Sequence, residues 1–241
     1  MEEKELKTSV GQRVAIIVIA VAMLGSIIAG YVAIVLNGGN KQTSLDDTAG
    51  IGNEKIAAYE KSYSEKLAEF KEISQSDFDK FVQYKSEVKA YNETTANAEI
   101  LQTRDLLIGD GRELVEGDTN YLAYYIGWCA DESVFDSSFD NVASPTSFNK
   151  ALNASRGMIE GWNTGVVGMK IGGVREITMS GDLAYKDQKD ICGGYNKPLR
   201  FIVMAIANEG QLAEVASELE LAYMKLMYAY YGIDYDSVYG N

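Results

Sequence analysis

Residues 109 to 206 decide the fold of this chain, and four short runs within them are the most informative: Gly109-Asp110-Gly111-Arg112, Phe135-Asp136-Ser137-Ser138, Gly157-Met158-Ile159-Glu160-Gly161-Trp162 and Leu183-Ala184-Tyr185. Apolar runs in this region are short, about 4 to 8 residues, and are separated by glycine turns, which is typical of strands. We predict strands at 106–108, 121–128, 174–179 and 199–207, and one helical segment at about 158–169. Strands with a single helix on one face indicate an α+β domain with an antiparallel sheet, which we place at residues 98–208.

Eight runs in this region resemble, in order and spacing, the FKBP family of peptidyl-prolyl cis-trans isomerases. They are Gly109-Asp110-Gly111-Arg112, Ala123-Tyr124-Tyr125-Ile126-Gly127, Phe135-Asp136-Ser137-Ser138, Met158-Ile159-Glu160-Gly161-Trp162, Gly165-Val166-Val167-Gly168-Met169, Gly172-Gly173-Val174-Arg175, Leu183-Ala184-Tyr185 and Leu199-Arg200-Phe201. The resemblance implies an FKBP-like fold, in which a twisted antiparallel sheet wraps across one short helix and a ligand pocket lies between them.

The resemblance also implies which residues form that pocket. The Trp162 indole would be its floor, the Tyr185 hydroxyl would meet a substrate carbonyl, and Asp136 would be the polar group at the rim. The walls would be aromatic, with two further side chains at the helix start: Tyr125, Phe135 and Phe201, then Met158 and Ile159. Such a pocket needs no nucleophile or metal, because an apolar site favours the twisted X–Pro amide over the more polar planar form.

Three segments depart from the family pattern, and one of them is Ala184-Tyr185-Lys186, where the family has Ala-Tyr-Gly. Pro145-Thr146-Ser147-Phe148 has threonine where the family has an aromatic wall, and the flap Ile191-Cys192-Gly193-Gly194-Tyr195-Asn196 lacks the usual proline. We expect Thr146, Phe148 and Ile191 to contact substrate. Losing a ring opens the pocket to water, so we also expect a low rate of isomerisation. The substitution Thr146→Phe should raise this rate.

Composition excludes several kinds of chemistry. The net charge of −13 disfavours nucleic acid, which needs a basic face. The chain has no histidine, which excludes Ser-His-Asp and Cys-His mechanisms and histidine-ligated zinc. We therefore expect no cofactor and no metal. Outside a cytoplasm, the two cysteines, Cys129 and Cys192, would be able to form a disulfide. The alternative is two free buried thiols, and both alternatives stay open.

The N-terminal segment predicts a membrane anchor. Residues 14–36 form a run of 23 residues without a charge, and about 20 residues suffice to cross a bilayer as a helix. The alternative is a cleaved signal peptide, for which this run is long. Lys4, Lys7 and Arg13 precede the span, which favours a cytoplasmic tail at 1–13 and an extracytoplasmic remainder. A flexible linker is predicted at 37–53.

Helices are predicted on both sides of the central domain. Residues 54–97 read as a stalk of two amphipathic helices, the second beginning at Ser76 and closing at 92–97. They would pack on each other or on the main domain, or alternatively form an arm for dimerisation or client capture. Residues 209–232 predict another helix, which would pack on the stalk or mediate a homodimer, followed by a loose tail at 233–241.

Two functions follow from these features. The first is a membrane-tethered isomerase that acts on X–Pro bonds of extracytoplasmic polypeptides. The second is an FKBP-like module with little or no activity that binds proline-containing clients as a chaperone. The retained pocket residues favour the first, whereas Thr146 and the altered flap favour the second.

Overall fold

The computed structural model describes residues 51–139, 152–154, 157–188 and 190–240. The predicted tail at 1–13, the predicted membrane segment at 14–36 and most of the linker at 37–53 lie outside these ranges. Within these ranges, none of the helices combines the length and the apolar character that crossing a bilayer requires. The chain divides into two compact units, one made of Ser64–Leu221 and the other of Met1–Tyr63 with Ala222–Asn241.

The larger unit contains an antiparallel sheet. Its strands, in chain order, are β1 Leu101–Leu107, β2 Tyr121–Trp128, β3 Val134–Ser137, β4 Leu152–Asn153, β5 Val174–Met179 and β6 Leu199–Ala207. Their spatial order is β1-β5-β6-β2-β3, and the short β4 also pairs with β2. The bounds predicted for β2, β5 and β6 are confirmed.

The prediction for β1 was wrong at its start. We predicted a strand at 106–108, but the strand begins at Leu101 because it pairs with β5 from Leu101 opposite Met179. Residues 102–105 are exposed and polar, as an edge strand allows, so they carry no apolar signal. Only the apolar end of the strand was visible in the sequence.

Alternate residues of β2 face two separate apolar clusters. Tyr121, Ala123 and Tyr125 point into the inner cluster, which surrounds Trp162. Leu122, Tyr124, Ile126 and Trp128 point into the outer cluster, on the other side of the sheet. Every residue of β2 is consequently buried, which explains its continuous apolar sequence.

The first two helices are α1, Asn53–Val82, and α2, Glu93–Ala98; the third, α3, Glu160–Gly165, lies on the inner face of the sheet. It spans only Glu160–Gly165, whereas we predicted about 158–169, because Ile159 has a non-helical ψ of 152° and Gly168 turns the chain at φ +79°. A Cβ on Gly165 would lie 2.6 Å from Ile177 Cγ2, and one on Gly161 would lie 2.6 Å from Met179 Sδ. These two glycines allow the helix to approach the sheet closely.

The outer face of the sheet is covered by helix. In the larger unit, α1 contributes Phe70, Phe78 and Phe81 to the outer cluster, and Phe78 meets the ring of Tyr124 edge-on at 5.7 Å between centroids. The prediction of two stalk helices divided at Ser76 was wrong. Buried positions 70, 74, 78 and 81 continue through Ser76 at spacings of four, four and three, so one helix runs to Val82.

The segment after α1 also differs from the prediction. A 3₁₀ helix follows at Gln83–Glu87, and Asn92 then begins α2 by accepting a hydrogen bond from the backbone N–H of Thr95. Residues 92–97 therefore begin a short helix, whereas we predicted that they close one. Asparagine is favoured at both kinds of position, which is why the sequence pattern was ambiguous.

The C-terminal helix α4 spans Gly210–Tyr230, close to the predicted 209–232. In the larger unit, Val215 and Ala216 of α4 lie in the outer cluster of the sheet. In the smaller unit, Leu226 and Ala229 pack in a third cluster with Tyr59 of α1. The apolar seam of the helix is thus occupied within this chain.

The tail at 233–241 is not loose as predicted. It contains helix α5, Tyr235–Tyr239, which begins where the Asp234 carboxylate accepts a bond from the N–H of Asp236. Within the smaller unit, Tyr59 donates a hydrogen bond to Asp236 at 2.9 Å, and Lys225 forms an ion pair with the same carboxylate at 2.8 Å. These contacts give an ordered structure to a segment for which the composition predicts no such order.

Candidate active site

Trp162 occupies the centre of the inner cluster. Its indole is fully buried, and it meets two rings edge-to-face, Phe201 at 5.4 Å and Tyr125 at 5.9 Å between centroids. The indole N–H donates a hydrogen bond to the Tyr121 hydroxyl oxygen at 2.9 Å. The structure therefore places the predicted floor against two of its predicted walls.

Arg175 connects the helix that carries Trp162 to the sheet. This arginine is buried under the end of α3, and its guanidinium donates hydrogen bonds to the carbonyls of Gly165 at 3.0 Å and Val167 at 2.8 Å. Asp105 of β1 accepts from the same guanidinium at 2.6 Å. Carbonyls at a helix end have no partner within the helix, so Arg175 satisfies them and ties α3 to the sheet.

A third predicted wall, Phe135, completes an aromatic pair above β2. The rings of Phe135 and Phe201 are 5.5 Å apart and nearly perpendicular, at 89°. Gly127 lies beneath them: a Cβ there would sit 2.7 Å from Phe135 Cζ and 2.7 Å from Phe201 Cε1. The two rings can meet only because residue 127 has no side chain.

Asp136 supplies the polar side of the site. Its carboxylate accepts a hydrogen bond from the Tyr125 hydroxyl at 2.7 Å and another from the backbone N–H of Ser137 at 3.0 Å. Burial, reinforced by the Asp136 charge, raises the pKa of Tyr125 well above its usual value. The same two causes raise the pKa of Tyr185 to about 12. Both phenols are consequently protonated at neutral pH.

The flap residues lie beside this cluster. Ile191, the first residue of the flap, is buried in the inner cluster, and Tyr185 packs against the same cluster. The residue after Ile191, Cys192, is joined to Cys129 after the end of β2, which resolves the open choice between a disulfide and two thiols. The disulfide holds the flap next to Ile191.

Nine of the predicted site residues are therefore brought together, and two are not described. Met158 and Ile159 pack against the inner cluster from the start of α3. Thr146 and Phe148 lie outside the described residues. The residues placed around the site are Tyr125, Phe135, Asp136, Met158, Ile159, Trp162, Tyr185, Ile191 and Phe201.

Sequence reasoning missed three residues that shape the site: Tyr121, Gly127 and Ser138. The Ser138 hydroxyl accepts a hydrogen bond from the backbone N–H of Tyr125 at 3.0 Å and so fixes the position of that wall. Tyr121 was available from the pattern, because residues four apart on a strand lie on the same face. The partners of Gly127 and Ser138 depend on strand pairing, which the sequence does not display.

The described residues offer no evident place for a metal ion. In the ranges that the structure describes, no three histidine, cysteine, aspartate or glutamate side chains cluster as ligands would. The polar groups at the site are the phenols of Tyr125 and Tyr185 and the Asp136 carboxylate, which accepts a hydrogen bond from Tyr125.

Comparisons with known proteins show which family this chain resembles. A sequence model of the family described as FKBP-type peptidyl-prolyl cis-trans isomerase matches residues 111–206. The FK506-binding protein of Neisseria meningitidis serogroup B is 35% identical over 81 residues, which are 34% of this chain and 70% of that protein. FK506-binding protein 4 of Gibberella zeae is 32% identical over 149 residues, or 60% of this chain.

Some of the other relatives are proteins much longer than the region that they share with this chain, and others have a lower sequence identity to it. The chain spans 28% of the Gibberella zeae protein and 21% of FK506-binding protein 4 of Dictyostelium discoideum. The crystal structure of FkpA from Escherichia coli aligns with 81% of this chain and 89% of its own, at 20% identity and a TM-score of 0.36. The family model and the Neisseria relative identify the chain: it belongs to the family of FKBP-type peptidyl-prolyl cis-trans isomerases.

Proposed function

We propose that this chain is an active peptidyl-prolyl cis-trans isomerase that acts on X–Pro bonds of polypeptide clients. One observation carries the proposal: the aromatic cluster formed by Trp162, Tyr125, Phe135 and Phe201, with the Asp136 carboxylate bonded to Tyr125 at its edge. Membership of the family supports the same activity.

The chemistry follows from the apolar character of this cluster. An X–Pro bond rotates slowly because amide resonance sets a barrier of about 20 kcal/mol. At the twisted transition state that resonance is lost, so the carbonyl and nitrogen are less polar than in the planar amide. A site lined by aromatic rings therefore binds the twisted amide better than the planar one, and this difference accelerates rotation.

The phenols add a directional contact. The Tyr185 hydroxyl is protonated at neutral pH, as phenols are, and is able to donate to the substrate carbonyl; burial, which raises its pKa to about 12, extends this into alkaline solution. The Asp136 charge holds the Tyr125 phenol in place through the 2.7 Å hydrogen bond. In this proposal no group forms a covalent bond to the substrate.

The test is a proline-peptide isomerisation assay on the full chain, with a matched pair of tryptophan variants. Trp162→Phe removes the floor indole, whereas Trp128→Phe removes an equally buried indole whose N–H donates to the Lys89 carbonyl at 3.0 Å on the outer side of the sheet. We expect Trp162→Phe to reduce kcat/KM at least tenfold and Trp128→Phe to leave it close to wild type. A wild-type rate no higher than that of a Trp162→Ala, Asp136→Ala double variant would refute the proposal.

The rival function is a catalytically weak binding module, and one observation favours it. Trp162, Tyr125 and Phe201 expose only 0%, 3% and 4% of their surfaces, so a proline ring reaches the floor only after other side chains move. The partly exposed groups around the cluster include Phe135, Met158, Ile159 and Tyr185. Peptide binding detected by tryptophan fluorescence, without accelerated isomerisation, would identify this function.

We further propose that the isomerase is tethered to a membrane by residues 14–36, with residues 1–13 in the cytoplasm and the domain outside it. The uncharged run of 23 residues supports a span, and the Cys129–Cys192 disulfide is compatible with an oxidising compartment. Clients would then be exported proteins that contain proline. Protease treatment of intact cells should remove the domain, and complete protection would contradict this placement.

A further inference from the structure

The floor indole bonds to Tyr121, which is not among the predicted site residues. We propose that Tyr121 is a positioning residue of the isomerase site, whose hydroxyl fixes the plane of the Trp162 indole. The observation is the hydrogen bond of 2.9 Å from the indole N–H to the Tyr121 oxygen. This inference rests on the proposed function and adds a residue to it.

The ring contacts of Trp162 do not provide an acceptor for its indole N–H. Phe201 and Tyr125 meet the indole edge-to-face at interplanar angles of 79° and 81°, and these contacts are between apolar ring atoms. The indole N–H is different, because it is a single donor at one corner of the ring. In a fully buried side chain a donor without an acceptor is strongly disfavoured, so the N–H selects the orientation that faces Tyr121.

Strand β2 supplies both this acceptor and a wall of the site. Tyr121 lies opposite Ala207 of β6, and Tyr125 follows four residues later on the same face. The Tyr125 hydroxyl bonds to Asp136, while the Tyr121 hydroxyl holds Trp162. One strand therefore sets the floor relative to the polar rim.

Tyr121 acts through Trp162 and does not touch substrate itself. Only 1% of its surface is exposed, at the far end of β2 from the Phe135–Phe201 pair, which lies over Gly127. Burial also raises the pKa of its phenol, so the group is neutral at physiological pH. A neutral oxygen that accepts one hydrogen bond is an orienting contact.

The first experiment replaces Tyr121 by phenylalanine, which removes the acceptor oxygen and keeps the ring. We expect kcat/KM for a proline peptide to fall about two- to tenfold, the size expected for one hydrogen bond. The chain has two tryptophans, so ¹⁵N-tryptophan labelling gives two indole N–H signals, which Trp128→Phe assigns. The Trp162 signal should move to lower proton frequency in Tyr121→Phe.

Tyr124→Phe is the matched control. Tyr124 is a fully buried tyrosine on the same strand, and its hydroxyl lies 3.5 Å from the Ser74 carbonyl on the opposite face of the sheet. This variant removes the same atom from the same strand without touching the site. It should leave both kcat/KM and the Trp162 signal unchanged.

A second experiment separates positioning from a general loss of stability. If Tyr121 acts through the indole N–H, Tyr121→Phe should have no further effect on kcat/KM in a Trp162→Phe chain, because the donor is already absent. A merely structural tyrosine would lower activity equally in both backgrounds, and that result would overturn the inference.

The remaining outcomes are also decisive. An unchanged kcat/KM or an unmoved Trp162 signal in Tyr121→Phe would overturn the inference. If that variant does not fold, the test is made on the wild-type chain. We expect a nuclear Overhauser contact between the Trp162 indole proton and the Tyr121 ring, and its absence would show that Tyr121 does not lie beside the indole N–H and would overturn the inference. If the wild-type chain lacks isomerase activity, the proposed function fails, and the affinity of each variant for the peptide then replaces kcat/KM.

Discussion

Replacing Gly127 by alanine tests the aromatic pair on which the proposed site depends. The added Cβ would lie 2.7 Å from both Phe135 Cζ and Phe201 Cε1. Carbon atoms in contact are normally about 3.5 Å apart or more, so each ring would have to retreat by about 0.8 Å. Because both rings belong to the inner face of the site, the substitution displaces two walls at once.

The expected effects are a loss of stability and a larger loss of activity. Forcing one extra methyl group into a packed cluster costs about 1–3 kcal/mol, so we expect the free energy of unfolding to fall by about 2 kcal/mol. A displacement near 1 Å at a site costs up to about a hundredfold in rate, and we expect kcat/KM to fall about ten- to hundredfold. Urea unfolding followed by tryptophan fluorescence and a proline-peptide assay measure the two effects.

Two further variants make this prediction sharp. Gly52→Ala adds the same methyl group where no atom lies within 4 Å, so its stability should change by less than about 0.5 kcal/mol. Adding Phe135→Leu to Gly127→Ala should recover part of the lost stability without recovering activity, because the smaller side chain relieves the contact at residue 135 but not the one with Phe201. If Gly127→Ala unfolds at the wild-type urea concentration, the rings do not meet over residue 127 and the reasoning is wrong.

Three other predictions follow from contacts that do not involve the aromatic rings of the site. Cys129→Ser, or reduction, should lower the free energy of unfolding by up to about 4 kcal/mol, because the disulfide with Cys192 closes a loop with a sequence separation of 63. Phe81→Ala should cost about 3–5 kcal/mol, because it empties a fully buried position in the outer cluster, while activity per folded molecule stays at the wild-type value. The hydrogen bond from Arg112 lowers the pKa of Asp118, so its contribution to stability is present above the ordinary carboxyl pKa of about 4 and is lost as the pH falls below it. Urea midpoints from pH ~6 to pH ~2.5 should therefore fall less steeply in Arg112→Gln than in wild type.

Each of these predictions has a contrary outcome. Equal midpoints with and without reductant would mean that the disulfide does not constrain the unfolded chain. A loss below about 1 kcal/mol for Phe81→Ala would mean that α1 does not cover the sheet. Parallel acid profiles for wild type and Arg112→Gln would remove the Arg112 contact as the cause of the Asp118 shift.

The sequence predicted the strands that are buried on both faces and failed where burial was one-sided. Strands β2 and β6 form continuous apolar runs, and their bounds were predicted correctly. The edge strand β1 is mostly exposed and polar, so its first half carried no signal. The false break at Ser76 has a related cause, because a serine–aspartate spacing that fits a helix start also occurs on the exposed side of a continuous helix.

The identities of the individual site residues were predictable, whereas the partners of those residues in space were not. The resemblance to a known family supplied Trp162 and the aromatic walls without any knowledge of strand pairing. The acceptor for the Trp162 indole and the cysteine pair depend on which segments meet in space, and residues 121 and 162 are far apart in the chain. Partners of that kind are set by sheet register and helix placement, which composition and spacing do not encode.

The order of strands has a consequence for how the chain is made. Strand β6 lies between β5 and β2 in the sheet, yet it is the last strand in the sequence. During synthesis β2 therefore emerges with apolar side chains on both faces before β6, a strand with which it pairs, has been made. Unpaired strands are prone to aggregate during this interval. Shortened chains that end before Leu199 should be insoluble, and folding should be slow because most strand pairs join distant segments. We therefore expect β2 to be prone to aggregation until β6 has been synthesised and can pair with it.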